Sequence, residues 1–249
     1  MARRSKFQAA RSTEQRYQSQ LTRVARVIGN IIQPYIEAGG TVPRLPQLME
    51  ALRAYGESLG PWASRVADEM LRSVAAQSRR AFKQENKRLT EGFREMMASS
   101  DVGLTQQVLL REQVTLIKSL PTKAGERVQT MATEAVMNGS RGAEIERELL
   151  RSGEVTEARA RLIARTEVAK AQSTLTEARA KAAGSNAYIW RTAEDEAVRE
   201  SHAEMEGQVV LWDSPPTLSD GTVTHAGQIY NCRCFAEPIF TDDETNPSE

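Results

Sequence analysis

Apolar residues recur at steps of three and four along most of the chain, the spacing that lines one face of an α-helix. Tyr17, Leu21, Val24, Ile28, Ile31, Ile32 and Tyr35 form the first stripe, opened by Ser12-Thr13-Glu14 and brought to an end by Pro34 and Gly39-Gly40. A shorter helix carrying Leu48, Leu52 and Tyr55 follows the Pro43/Pro46 break and stops at Gly56 or Gly60. Pro61 sits where a first helical turn accepts proline, and Trp62, Val66, Met70, Leu71, Val74 and Ala75 carry a second long stripe, which the polar run Gln77 to Arg88 extends as a solvated face. After a break at Asp101-Val-Gly-Leu, the pattern predicts a helix over Val108 to Ile117 ended by Pro121, and another from Lys123 to Met137 stopped at Asn138-Gly139. A short helix over Ala143 to Leu150 is expected to end at Ser152-Gly153. Val155 to Ala183 is rich in Ala, Glu and Arg, all strong helix formers, and Gly184-Ser-Asn closes it.

The pattern then changes. Ala187 to Arg191 (AYIWR) and Gln208 to Trp212 (QVVLW) are short β-branched or aromatic runs that predict strands. Glu194 to Met205 between them reads as a helix, Ser214 to Gly221 as a loop, and Gly227 to Tyr230 and Cys234 to Ile239 as further strands. The expected fold class is a mainly α N-terminal region followed by a small α+β C-terminal domain. Along the chain this gives a helical region over 1–115, a helical region over 116–186 leading into the specialised stretch, a small α+β unit over 187–240, and a disordered acidic tail over 241–249.

Charge narrows the function classes. The 249 residues hold 33 basic and 33 acidic side chains, so no global field draws the chain onto nucleic acid or an anionic membrane. Basic residues do cluster locally, and Arg3, Arg4, Lys6, Arg79, Arg80 and Lys83 are the candidates for sequence-independent contact with a DNA backbone. No run of apolar residues is long enough to cross a membrane, and no secretory h-region follows the basic start. Production and use in a cytoplasm are expected.

Both cysteines and both histidines fall in the last quarter of the chain. His202, His225, Cys232 and Cys234 suffice for a tetrahedral Cys2His2 zinc site, though not at a standard finger spacing. Residues i and i+2 of an extended segment share a face, so Cys232 and Cys234 can address one ion; the competing reading is four core or surface residues with no metal. As a general acid and base, His202 and His225 could instead serve a metal-independent nuclease whose phosphate is held by Arg191, Arg199 or Arg233. No Gly-rich phosphate loop, nucleophile elbow or zinc-protease helix is present. Trp190 is expected to anchor a core and Asp195 to cap a helix. Arg165 and Glu167 are placed to lock the preceding helix to the small unit by hydrogen bonds.

The order of these elements resembles a known family. Ala164-Arg165-Thr166-Glu167 on a helix is followed by A-x-I-W ending at Trp190, then by T-x-x-D-x-x-V-R-x-x-H from Thr192 through Asp195 and Arg199 to His202, by Gly207 before a strand, and by Asn231-Cys232-Arg233-Cys234. Together they are similar to the phage head morphogenesis family, the Mu F-like minor head proteins of tailed bacteriophages, over roughly Leu116 to Pro238. The resemblance implies a structural, non-enzymatic role: a minor capsid protein inside the head near the portal, made in the host cytoplasm. Expected partners are the portal protein, the major capsid or scaffold protein, and double-stranded DNA by backbone contacts, with a part in DNA ejection. No membrane partner is implied. The chain has no long extension after Cys234, so an appended toxin or enzyme domain is not expected. A small phosphate-handling enzyme and a zinc-stabilised DNA-binding module remain the alternatives.

Overall fold

The computed structural model of the chain describes residues 6–37, 44–84, 90–99, 102–138 and 142–240. Arg3, Arg4, the Gly39-Gly40 break and the expected acidic tail lie outside them. The helices are α1 (Arg11–Glu37), α2 (Leu45–Ser58), α3 (Gly60–Lys83), α4 (Glu91–Ser99), α5 (Gly103–Met137) and α6 (Gly142–Ala182). Then come β1 (Ala187–Arg191), the single turn α7 (Glu200–Ala203), β2 (Val209–Leu211) and β3 (Phe235–Ile239). A mainly helical chain with a small α+β region near its end is what the sequence predicts.

Two helix breaks expected from the sequence are absent. Proline costs an interior helix position a hydrogen bond and a steric clash with the preceding turn, yet α5 runs through Pro121. Ile117, Leu120, Ala124 and Val128 are all buried and continue one apolar stripe across it, so packing on both sides outweighs the local penalty. Gly153 lies within α6. A helical glycine costs only about 1 kcal/mol against alanine, and the buried series Thr156, Ala160, Ala164, Val168, Ala171 and Leu175 carries α6 onward. In α1, Pro34 lies inside the helix, which ends just beyond it at Glu37.

Packing divides the chain into two compact units, neither of them a consecutive stretch. One consists of residues 15–69 and 110–164. Its buried side chains include Leu21, Ile28, Leu48, Leu52, Ile117 and Val128. Within it α2 meets α5 closely: a Cβ on Gly56 would stand 3.0 Å from the Lys118 carbonyl oxygen. Tyr17 donates its hydroxyl to Gln113 Oε1 at 2.8 Å, and Arg127 Nη2 donates to Thr156 Oγ1 at 2.8 Å.

The other unit gathers residues 1–14, 70–109 and 165–249. Its sheet has the order β2-β1-β3 with both pairings antiparallel. Alternation turns Tyr188 and Trp190 of β1 and Ala236 of β3 inward, where Phe7, Phe82, Ala180 and Trp212 join them in one core. Pro238 is tolerated because β3 is an edge strand. Helix α4, unforeseen in the sequence, is opened by Thr90, whose Oγ1 accepts from Phe93 N at 3.2 Å, and Phe93 packs edge-on against Phe240.

Two more expectations are corrected here. Glu194 to Met205 is not one helix; only α7 is helical. Glu194 has φ +52°, and Asp195 Oδ1 accepts from Ala197 N at 3.1 Å, so the side chain holds a turn in place of a helical start. Gly227 to Tyr230 is a run of turns instead of a strand. Gly227 has φ +80° and Asn231 φ +55°, and neither value fits a strand.

Candidate functional site

The specialised stretch is built as two loops fastened to α6 and the sheet. Residues 225–234 run past the α6 segment carrying Arg165, Thr166, Ala169 and Ser173. Asn231 N donates to Thr166 Oγ1 at 2.9 Å, and Arg165 Nη1 donates to Asn231 Oδ1 at 3.2 Å. Arg165 also meets Glu14 at 3.3 Å. Ser173 Oγ donates to Ala226 O at 2.7 Å, while Ala226 N donates to Tyr188 Oη at 3.3 Å. The chain passes so tightly here that a Cβ on Gly227 would lie 2.8 Å from the Cys234 carbonyl oxygen.

The second loop, 192–208, is held by paired charges. Arg233 grips the Asp195 carboxylate with both terminal nitrogens, and that guanidinium holds the Asp195 carboxyl below the usual carboxylate range. Arg191 donates to Glu237 at 2.7 Å and to Glu206 at 3.2 Å. Burial pushes the Glu206 carboxyl up, but hydrogen bonds from Thr192 and Arg191 outweigh it, and the net shift is downward. Arg199 donates to Tyr230 O at 3.0 Å and stacks over the Tyr230 ring. Gly207, at φ +78°, gives its N–H to Trp190 O at 2.9 Å. A cavity of about 590 Å3 lies beside these groups, lined by Arg165, Arg191, Glu194, Asp195, Glu206 and Arg233 among others.

Beneath the loops, His202, Cys232 and Cys234 come together, all buried, with their ligand atoms within 4.8 Å of one another. His202 Nδ1 is 3.4 Å from Cys234 Sγ and 3.5 Å from Cys232 Sγ. The His202 ring stands edge-on to Trp190, centroids 5.6 Å apart at 86°. The hydrogen bond between the neighbouring sulfurs lowers the Cys232 thiol and raises that of Cys234. His225 is not part of this group: its Nδ1 faces Tyr188 Oη at 3.1 Å and its ring packs near Trp212. The four-residue Cys2His2 set expected from composition is thus a three-residue set in the structure.

The remaining candidates fall as follows. Trp190 is fully buried in the core. Glu167 lies on the same stretch of α6 as Arg165. The arginines considered as phosphate holders, Arg191, Arg199 and Arg233, are engaged with Glu206 and Glu237, with Tyr230, and with Asp195. Of the basic candidates for DNA, Lys6 Nζ donates to Gln84 O and Lys83 pairs with Glu95 at 2.8 Å, whereas Arg79 and Arg80 are exposed on α3. The pairings of Glu14, Glu206 and Glu237 were invisible to sequence reasoning, because nothing near them in the chain announces a partner so distant.

Known proteins bear on this arrangement. A 143-residue segment, 57% of this chain, is 35% identical to a Haemophilus influenzae protein described only as uncharacterized, and the match spans 31% of that relative's length. No solved structure matches the chain. The family model described as Phage Mu protein F like protein matches residues 126–237. That range contains the Arg165-Thr166 anchor, the buried His202–Cys232–Cys234 cluster and nearly all of the sheet, and over it the chain is similar to this phage protein family.

Proposed function

We propose that the protein is a minor head component that acts by shape and contact: a structural assembly factor inside the capsid that associates with the portal. One observation carries this reading. The polar residues that mark the family-matched segment are spent on fastening the chain to itself, Arg165 and Thr166 to Asn231, Arg233 to Asp195, Arg191 to Glu206 and Glu237. A catalytic site in a cleft would hold its arginines and carboxylates ready for substrate; here they neutralise one another. The nuclease alternative draws no support, since His202 and His225 are buried against different partners. Contact with packaged DNA, on this reading, falls to exposed groups such as Arg79 and Arg80 and would be sequence-independent.

The test is assembly. Cells carrying the parent phage without this protein should yield few filled heads, restored by the wild-type chain, and the protein should co-sediment with portal rings of the same phage. Normal heads in its absence, together with no co-sedimentation, would overturn the proposal.

A further inference from the structure

The buried trio beneath the two loops carries an inference independent of the assembly role. We infer that His202 Nδ1, Cys232 Sγ and Cys234 Sγ bind a zinc ion that staples the 192–208 loop to the 231–234 loop, with water as fourth ligand.

Geometry is the first support. Zinc bonds of about 2.3 Å to sulfur and about 2.0 Å to nitrogen at tetrahedral angles put the two ligand atoms about 3.5 Å apart. The observed Nδ1 to Sγ separations are 3.4 and 3.5 Å. Both nitrogen–sulfur edges therefore have tetrahedral length before any ion enters, and the two sulfurs lie within 4.8 Å of each other. Hydrogen bonding explains the arrangement less well. A ring nitrogen offers one in-plane direction, so Nδ1 can make one such bond, yet two sulfurs flank it at equal range.

Burial is the second support. His202 is 2% exposed, and its Nε2 is buried with no hydrogen-bond partner. An imidazole whose Nδ1 meets only weakly bonding sulfurs is poorly compensated at that nitrogen for leaving water; a metal bond there supplies what the sulfurs do not, while Nε2 stays unpartnered. The two thiol ligands and one imidazole are a soft to borderline set that suits zinc over calcium or magnesium. Both cysteines also line a cavity of about 50 Å3, more than one water needs.

Ligand spacing adds a reason for the loops. His202 is 30 residues from Cys232 in sequence; it sits in the single helical turn α7, flanked by turns, and Cys232 lies in a stretch without regular structure, so cross-linking the two removes much of their freedom. The chemistry balances simply. Zinc enters as the dication, binds the neutral imidazole and both sulfurs as thiolates, and the thiol protons pass to solvent.

The experiment uses the full chain. Metal content of protein purified without a metal-affinity step should be about one zinc per chain. After chelation, titration with Co2+ should give the sulfur-to-cobalt charge-transfer band and intense visible bands of a tetrahedral thiolate site. Both signals should vanish in Cys234→Ser and persist in His225→Gln. Should Cys234→Ser fail to fold, the wild-type cobalt spectrum alone decides. A folded wild-type chain with neither zinc nor the cobalt–thiolate band would overturn the inference, and so would loss of the band in His225→Gln.

Discussion

Asp195 and Arg233, 38 residues apart in the chain, meet as a two-pronged ion pair that ties the loop after β1 to the segment leading into β3. The planar guanidinium fork matches both carboxylate oxygens, a match lysine cannot make. Because Arg233 holds the Asp195 carboxyl below its ordinary range, the pair contributes stability above the unfolded-state value near about 3.9 and loses it as pH falls through the folded value. Asp195→Asn should therefore flatten the acid limb of stability. Arg233→Lys should speed amide exchange across Asn231 to Cys234 at neutral pH. Unchanged exchange in Arg233→Lys would show that the fork does not hold the loop.

Phe7 offers a sharper test of how the chain is assembled. It is 1% exposed and packs edge-on against Phe82 at 5.4 Å in the same core as Trp190 and Trp212. Phe7→Ala should cost about 3–5 kcal/mol of stability, read by urea denaturation with tryptophan fluorescence. A change in the range of ordinary surface substitutions, within about 0.5 kcal/mol, would mean the N-terminal segment is dispensable to that core.

Two glycines with nearly the same backbone separate conformational strain from steric collision. Gly221 has φ +81° and nothing within 4 Å of where a Cβ would stand, whereas Gly227 at φ +80° would drive a Cβ to 2.8 Å from Cys234 O and 3.3 Å from Ser173 Cβ. Gly221→Ala should cost about 1 kcal/mol, the usual left-handed penalty. Gly227→Ala should cost at least about 2 kcal/mol more, since backbone must shift to admit it. Equal melting temperatures for the two variants would refute the close approach.

His225 predicts a pH dependence at milder acidity. Burial lowers its pKa from the ordinary 6.5, Glu177 opposes that shift, and Lys181 reinforces it. With the folded value depressed, the unfolded chain takes up the proton first. Stability is thus fully present above about 6.5 and falls as pH drops through the folded value. His225→Gln should remove that slope in thermal unfolding followed between about pH 5 and 8. A slope that survives the substitution would assign it elsewhere.

Strands and helix faces were legible because they depend on local alternation. AYIWR forms β1 over the residues expected, and most apolar stripes proved buried. Pro121 and Gly153 misled because they are strong local punctuation that distant packing overrode. Asp195 misled in the opposite direction: its side chain suits a cap, but its partners Arg233 and Ala197 hold it in a turn. The histidine–cysteine cluster was legible only in part. Cys232 and Cys234 lie together as their spacing suggests and His202 joins them, but composition gave no means of knowing that His225 turns toward Tyr188.

The unit containing the sheet draws on residues 1–14, 70–109 and 165–249, and this bears on how the protein is made and how it can evolve. A ribosome delivers Phe7 and Phe82 long before Trp190 and Ala236 exist, so those aromatic surfaces must wait, uncovered, until β3 has been translated. Their interval is a natural occasion for a chaperone or for early contact with a partner protein. The same arrangement restrains gene shuffling. The segment matched by the family model, residues 126–237, cannot be moved to a new host gene as a self-sufficient cassette. A recombinant that inherits it without a counterpart for Phe7 and Phe82 inherits an open core.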